Sequence, residues 1–296
     1  MLEFLDSLSG RPNEIVLCLN SDDAHLCARL QAHPCIDRLI VQPENPGFSG
    51  GVNACMASTT HPFIWLLNPD VLPAPNYLEL SLDVLSRNPR CGAVGGLLLR
   101  SEGDEAVIDS AGFAMQPWFR VVDRASGERD VGQFHQIESV LGLCAASLVI
   151  RRDAAEEAAC PEGCFDVDYW MYKEDQDFCL RLREHGFECF FEPAARCLHT
   201  RGWQQGRRQN VPLLLRRHSL KNRYLLMARH LSPVRDLWRF PAIIVFELAL
   251  LFRLLLLEPR TSVGYGMALA LLPKTLRKRW VRRNSRGRDD RANGTG

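Results

Sequence analysis

Short apolar runs alternate with helix-like periodicity along the first part of the chain. The apolar runs that predict buried strands lie at residues 14–19, 38–41, 63–67, 92–99 and 142–150. Between them, residues 76–85 repeat with a helical period that ends before Asn88 and Pro89. This alternation predicts an α/β fold with a mainly parallel sheet flanked by helices.

Acidic residues gather in two places on this pattern. Asn68, Pro69 and Asp70 directly follow the strand predicted at 63–67, where open sheets bind their ligands. Glu174, Asp175 and Asp177 open a later helical segment. Two such clusters suit a reaction in which a metal-bound anion leaves while a carboxylate accepts a proton. For the second cluster, simple N-terminal helix charges are the alternative.

A glycine-rich segment lies between the second and third predicted strands. Residues 45–53 contain Gly47, Gly50 and Gly51, follow a strand and open a helix. Backbone N–H groups in such a place could approach a nucleotide or a phosphate closely. The spacing is neither a dinucleotide fingerprint nor a phosphate-loop motif, so a tight turn without a ligand stays open.

Composition adds a charge asymmetry. The 296 residues are 46% hydrophobic and 24% charged, which is ordinary for a globular protein. Residues 273–296 hold nine Lys/Arg and two Asp (+7), whereas the other 272 residues hold 27 basic and 33 acidic ones (−6). This distribution predicts an acidic catalytic body with a basic tail and excludes a uniformly basic nucleic-acid binder. The eleven scattered cysteines predict core positions in a reducing cytosol.

The last third of the chain is different in character. Residues 211–230 predict a basic amphipathic helix, and the very apolar residues 238–257 are interrupted by Glu247 and Arg253. Since no uninterrupted run reaches about 18–20 residues, we expect a helix lying in the bilayer interface. The basic tail would then favour anionic lipids. An oligomer interface and an ordinary core helix are the alternatives.

Five motifs occur in an order that resembles the family 2 glycosyltransferases, in particular the rhamnosyltransferase-like branch that builds bacterial surface polysaccharides. They lie at residues 43–53, 65–71, 163–166, 172–181 and 192–199. The resemblance covers residues 2–272. It implies a GT-A (nucleotide-diphospho-sugar transferase) fold and inverting transfer from a nucleotide-activated sugar.

The resemblance also implies residue roles. Asp70 matches the last acid of the family's Asp-x-Asp metal motif, His199 a histidine that ligates the same metal, and Asp175 the general base. The residues expected near the donor nucleotide are Asn20, Gly50, Gly51, Asn53 and Asn68. Secondary positions are Glu174, Asp177 and Arg181, the last of which would pair with Asp177 or reach the diphosphate.

The expected cofactor is a divalent cation, Mn²⁺ or Mg²⁺. Because imidazole suits Mn²⁺ better than Mg²⁺, His199 favours manganese. A histidine at a strand end that makes only a backbone hydrogen bond is the alternative for His199.

Two departures from the family pattern affect the nucleotide site. Family members begin with a buried strand, whereas this chain begins at residues 2–8 with what resembles the following helix, so we expect translation to start upstream of Met1. Residues 17–21 stand where the family reads Asp-Asn-x-Ser, so an acid is absent while Asn20 remains.

These patterns predict three regions: a catalytic domain at 1–230, an apolar amphipathic helical extension at 231–272, and a partly disordered basic tail at 273–296. We expect a cytoplasmic enzyme, peripheral on the inner face of the cell membrane, that uses a dTDP- or UDP-sugar and a lipid-linked glycan acceptor. A rhamnose-like deoxysugar is favoured, the loop at 116–134 is expected to shape acceptor choice, and a homo-oligomer is possible. The alternative is a catalytically silent scaffold subunit of a polysaccharide assembly complex.

Overall fold

The computed structural model describes residues 12–101, 106–200 and 211–293, with side chains through Arg282. The chain divides into two compact units. The first comprises Met1–Met115, Val121–Trp170 and Glu174–Arg207, and the second Gln116–Arg120, Met171–Lys173 and Arg208–Gly296. In this division the helix that ends at residue 230 groups with the C-terminal helices, and the three regions expected from the sequence stay a prediction. The helix expected at 2–8 lies outside the described residues.

Strands account for much of the first unit. The described strands are β1 Val16–Leu19, β2 Arg38–Val41, β3 Phe63–Leu67, β4 Val71–Pro73, β5 Cys91–Leu99, β6 Ile108–Ser110, β7 Phe113–Met115, β8 Val121–Asp123, β9 Glu138–Val140, β10 Ser147–Arg151 and β11 Glu188–His199. The described α-helices are α1 Ala24–Gln31, α2 Gly47–Ala57, α3 Tyr77–Arg87, α4 Arg152–Glu157, α5 Glu174–Glu184, α6 Leu213–His230, α7 Phe240–Leu257 and α8 Val263–Asn293.

The main sheet is mixed. Its strand order is β3-β10-β5-β11-β4, with β6 beside β5 and β9 beside β11. The expected α/β class is confirmed, but the expectation of mainly parallel pairing is wrong, because β10 runs antiparallel between β3 and β5 and only β5 and β11 pair in parallel. The parallel pair β1 and β2 forms a separate sheet.

The strand register places the end of β3, the start of β4 and the end of β11 at the same end of the main sheet. Leu67, the last residue of β3, pairs with Ser147, the first residue of β10. His199, the last residue of β11, pairs with Val71, the first residue of β4. The Asn68–Asp70 segment therefore leaves β3 and enters β4 beside the end of β11.

The core of the first unit is built around β5, all of whose residues are buried. Aromatic side chains pack on the sheet, with Phe165 stacked on Phe178 at 5.1 Å between ring centroids. All eleven cysteines lie in the described part of the chain and are free. Burial raises the pKa of Cys91 and of Cys197 to about 12, which makes these thiols unreactive. Six of the eleven cysteines are buried, as expected for core positions, and the other five are partly exposed.

The second unit contains the helices α6, α7 and α8. The short segments Gln116–Arg120 and Met171–Lys173 belong to the same unit. Asn222 of α6 is fully buried and donates to the carbonyl oxygens of Met171 at 2.8 Å and Tyr172 at 2.7 Å. Its neighbour Arg223 donates to the carbonyls of Trp118 and Phe119. Because buried backbone carbonyls need partners, these two residues hold both segments against α6.

The apolar helix α7 is exposed along most of its length. The 21-residue segment Leu237–Leu257 contains an 18-residue window whose mean hydropathy is 2.3 and of which 11% is buried, so its length and composition alone would allow it to cross a membrane. Glu247, which interrupts the apolar run, is bound by Arg223 at 2.9 Å and by the hydroxyl of Tyr224. The outer face therefore carries apolar side chains, and the alternative of an ordinary core helix is wrong.

Candidate active site

Asp70 and His199 face each other where β4 and β11 meet. His199 Nε2 lies 3.5 Å from Asp70 Oδ2. The backbone N–H of Thr200 donates to the Asp70 carbonyl at 2.9 Å, which fixes the turn before β4. His199 is buried, whereas the Asp70 side chain is 40% exposed. The carboxylate of Asp70 is therefore accessible to solvent, whereas the imidazole of His199 lies in the interior.

The other ring nitrogen of His199 faces Asp109, a residue that the sequence analysis missed. Asp109 Oδ2 lies 2.8 Å from His199 Nδ1, and Asp109 Oδ1 accepts from Arg100 Nε at 2.7 Å. Asp109 is fully buried on β6. The available signal was an acid inside the apolar run 106–113, since buried carboxylates are rare unless they are paired.

The two carboxylates change the titration of His199. Burial lowers the pKa of this imidazole, but hydrogen bonds to Asp109 and Asp70 outweigh burial, so its pKa is raised above the usual 6.5. The bond to Nδ1 also determines which ring nitrogen faces Asp70. A histidine oriented by a carboxylate in this way is typical of metal-ligating histidines.

The donor set fits the cation that the family implies, with two protein ligands. Asp70 offers a carboxylate and His199 offers Nε2, and oxygen with imidazole nitrogen suits Mn²⁺. Within residues 12–101, 106–200 and 211–293, no group of three or more His, Cys, Asp or Glu side chains is arranged to hold a metal ion by itself.

Asp175 lies in the first turn of α5, at the same edge of the sheet as Asp70. Its Oδ2 accepts from the Ala145 N–H at 3.3 Å, and its Oδ1 accepts from the Gln176 N–H at 2.8 Å. The next residue, Ala146, accepts from the Asn68 N–H at 2.9 Å. The loop before β10 therefore joins the two acidic clusters, which sequence reasoning expected to lie together.

Asp177 and Arg181 do not line the site. Arg181 Nε lies 2.8 Å from Asp177 Oδ2, and both side chains are almost wholly buried. Arg181 also donates to the carbonyls of Ala158 and Cys164. Of the two roles expected for Arg181, the ion pair is the one observed, because its guanidinium is bound within the core and anchors the loop before α5. Glu174, beside them, is also buried.

The glycine-rich segment packs against Trp170, four residues before the start of α5. Gly47 has a φ of +75°, and a Cβ there would lie 2.3 Å from the Trp170 carbonyl oxygen. Trp170 Nε1 donates to the Asn45 carbonyl at 3.2 Å. Trp170 itself has a φ of +63°, and such strain often accompanies functional sites. The segment therefore belongs to the neighbourhood of α5.

Close packing within the protein explains why residues 50 and 51 carry no side chain. A Cβ on Gly50 would lie 2.4 Å from Pro46 Cβ, and one on Gly51 would lie 3.0 Å from Asn20 Nδ2. Asn20 donates to the Gly47 carbonyl at 3.1 Å and so ties the end of β1 to the start of α2. The roles expected for these residues in nucleotide binding stay predictions.

Asn53 is engaged with backbone groups. Its Nδ2 donates to the Phe165 carbonyl at 2.7 Å and to the Glu162 carbonyl at 3.2 Å, while its Oδ1 accepts from the Phe165 N–H at 2.9 Å. The side chain thus fastens the 162–165 turn to α2. These three bonds account for Asn53 without a nucleotide, so its expected contact with the donor remains a prediction.

Sequence comparison identifies the family. The model of the family described as "Glycosyltransferase like family 2" matches residues 2–219. Two curated relatives are N-acetylglucosaminyl-diphospho-decaprenol L-rhamnosyltransferases of Mycobacterium tuberculosis, from strains CDC 1551 / Oshkosh and ATCC 25618 / H37Rv. Each is 30% identical over 237 residues, covering 69% of this chain and 73% of the relative.

Solved structures show the same fold at low identity. GalNAc-T7 with UDP, GalNAc and Mn²⁺ superposes with a TM-score of 0.54 at 13% identity, covering 73% of this chain and 41% of that protein. The mannosyltransferase PcManGT of Pyrobaculum calidifontis with GDP-Man and Mn²⁺ gives 0.50 at 15%, covering 95% and 84%. The expected GT-A fold is confirmed. The chain is a glycosyltransferase that belongs to family 2, with a likeness to the rhamnosyltransferases of that family.

Proposed function

We propose that this chain is an inverting, metal-dependent glycosyltransferase that moves a rhamnose-like deoxysugar from a nucleotide-sugar donor to a lipid-linked glycan acceptor. The observation that carries the proposal is the joining of Asp175 and the Asn68–Asp70 segment to the adjacent residues Ala145 and Ala146. An acid that can accept a proton and a segment whose acid can hold a cation are then bonded to the same loop, the one before β10.

In the proposed reaction the acceptor hydroxyl attacks the anomeric carbon and the bond to the diphosphate breaks. The bonding electron pair leaves with the diphosphate, and the proton of the hydroxyl passes to Asp175. The hydrogen bonds from the Ala145 and Gln176 N–H groups hold this carboxylate in place. An inverting displacement needs one such base on the acceptor side.

Asp70 and His199 would hold Mn²⁺ or Mg²⁺, with diphosphate oxygens and water as the other ligands. A bound cation would stabilise the negative charge that collects on the diphosphate, without any proton transfer. Asp109 keeps His199 Nε2 directed towards Asp70. The two solved structures of this fold named above were determined with Mn²⁺ and a nucleotide or nucleotide sugar, which supports a divalent cation.

The relatives support the substrate class. The mycobacterial proteins are named as L-rhamnosyltransferases that act on a diphospho-decaprenol-linked sugar. For this chain we therefore favour a dTDP-deoxysugar donor and a lipid-linked acceptor in cell-surface glycan synthesis. A UDP-hexose donor is the second choice, and a donor screen with the purified protein distinguishes the two.

We place the enzyme on the inner face of the cell membrane. The exposed side chains of α7 include Val245, Phe252 and Leu257, which are 69%, 68% and 71% exposed. A helix with such a face, followed by a basic segment, is typical of proteins that lie in the interface of anionic membranes.

Thermal unfolding with nucleotides tests the proposal. We expect dTDP or UDP to raise the Tm only when Mn²⁺ or Mg²⁺ is present, and Asp70→Ala to abolish the shift. The matched control is Asp83→Ala, because Asp83 is an exposed acid of α3 that pairs only with Arg87 among the ion pairs described. Stabilisation without metal would contradict the metal role. Metal-dependent stabilisation with no turnover on any donor would favour the catalytically silent scaffold.

A further inference from the structure

A groove of about 530 Å³ lies between α6 and α8, wholly within the second unit. Its walls are almost entirely apolar and include Met227, Leu231, Ala268, Leu272 and Leu276. Its volume is in the range of sites that bind small molecules. Because sugars and nucleotides need polar partners, these walls do not suit the donor.

The polar groups of the groove are bound by the protein. The hydroxyl of Tyr224 donates to Glu247 of α7. Arg279 donates to the carbonyls of Ala228 at 2.7 Å and Leu231 at 2.6 Å, at the C-terminal end of α6. The surface left for a ligand is therefore hydrocarbon in character.

The groove continues into the apolar surface of the same unit. Leu269 and Leu276 line it and are 67% and 46% exposed. Tyr224 contributes to its wall and is bonded to α7, the helix with the exposed apolar face. A hydrocarbon chain dissolved in the membrane could thus enter without crossing a polar surface.

The charge of α8 complements an anionic lipid headgroup. The residues from Lys274 to Arg282 carry five basic side chains, and no Asp or Glu occurs between Glu258 and Asp289. Arg279, one of the five, lines the groove and contributes positive charge there, while its guanidinium stays bound to the carbonyls of Ala228 and Leu231. Cationic side chains beside an apolar slot suit a ligand with a long hydrocarbon tail and a phosphate-bearing head.

We propose that the groove between α6 and α8 binds the isoprenoid tail of the lipid-linked acceptor, with the diphosphate beside the basic stretch of α8. This inference rests on the proposed function, since it assigns the tail of that acceptor to a place outside the catalytic unit.

Photolabelling of the full-length protein in detergent tests the assignment. The probe is a benzophenone-bearing farnesyl diphosphate, and labelled peptides are identified by mass spectrometry. We expect labels on the peptides that hold Met227, Leu231 and residues 265–279. Decaprenyl diphosphate should compete, whereas inorganic diphosphate and palmitate should not.

Two variants make the test specific. Leu269→Glu places a carboxylate on the groove wall at an exposed position that tolerates it, and should lower labelling by about tenfold. Ala270→Glu adds the same charge at the neighbouring exposed position, which does not line the groove, and should leave labelling unchanged.

Three outcomes would overturn the groove assignment. Labels could be confined to other peptides, Leu269→Glu and Ala270→Glu could be labelled to the same extent, or palmitate could compete as well as decaprenyl diphosphate does. The last would indicate that ordinary lipid covers the groove. If labelling fails while the metal-dependent Tm shift with nucleotides persists, the groove assignment alone is wrong. If both fail, the proposed function is wrong as well.

Discussion

Asp109 Oδ2 and His199 Nδ1 are 2.8 Å apart in the interior of the first unit, although the residues lie 90 positions apart in sequence. Strand β5 brings them together, because Leu98 pairs with Ser110 of β6 and Leu99 pairs with Leu198 of β11. The two residues thus meet near the end of β5, where the imidazole is held towards Asp70.

Asp109→Asn should weaken metal binding without removing a ligand. The amide keeps the shape of the carboxylate but no longer orients His199 as strongly, and loss of such a partner costs about 10–100-fold in metal affinity. Titration of Mn²⁺ at saturating nucleotide, read as the Tm shift, measures the loss. Asp130→Asn is the matched control, since Asp130 pairs with Arg196 instead. Equal affinities in the two variants would contradict the orienting role.

Asp175→Asn should separate binding from transfer. The amide can still accept hydrogen bonds from Ala145 and Gln176 but accepts a proton far less readily, so kcat should fall by about 10²–10⁴-fold. Nucleotide-dependent Tm shifts should stay at the wild-type value. Near-normal turnover in this variant would mean that the base lies elsewhere.

Asp177→Asn should act on stability. Removing one partner of a buried ion pair leaves Arg181 without its counter-charge, which costs about 3–5 kcal/mol in the free energy of unfolding. Asp83→Asn is a matched control, because Asp83 and Arg87 form an exposed pair at the same i,i+4 spacing and the same 2.8 Å. The control should cost less than about 1 kcal/mol. Urea unfolding of both variants checks the difference, and similar losses would contradict the structural role of Asp177.

The raised pKa of His199 predicts a pH dependence. Asp109 and Asp70 stabilise the imidazolium in the folded protein, so this stabilisation is fully present below the unfolded pKa of about 6.5 and is lost as pH rises through the higher folded pKa. In chelator, the Tm advantage of wild type over His199→Gln should therefore shrink as pH increases. A Tm advantage of wild type that grows with pH would contradict the predicted direction of the pKa shift.

Substitution on the exposed face of α7 should release the protein from membranes. Phe252→Glu removes one large apolar contact, worth about 1.5–3 kcal/mol when fully buried, and adds a charge. Co-sedimentation with anionic vesicles should fall accordingly. Val234→Glu, which is 88% exposed but precedes α7, serves as the control. If sedimentation is unchanged while the protein dissociates from a dimer, α7 is an oligomer interface instead.

Local patterns predicted β1, β2, β3, β5 and β10 but not the three-residue strands β4 and β6 to β9. The apolar run at 63–67 is β3, and the helical period that began at 76 is α3. The run at 142–150 yields a shorter strand, Ser147–Arg151. Its first residues form a loop, because the Ala145 N–H is bound by Asp175 and the Ala146 carbonyl by Asn68. Contacts with residues far along the chain overrode the local pattern there.

The sequence by itself determined where apolar faces, acidic clusters and the basic tail lie, because burial follows a periodicity that each segment carries. Tertiary structure decided which polar groups meet: Asp109 with His199, Asp177 with Arg181, and Glu247 with Arg223. It also decided that β10 pairs antiparallel with β3 and β5, since a buried strand has the same apolar sequence pattern in either orientation. The partner of a buried charge depends on register between distant segments, and register is settled only when the whole core packs.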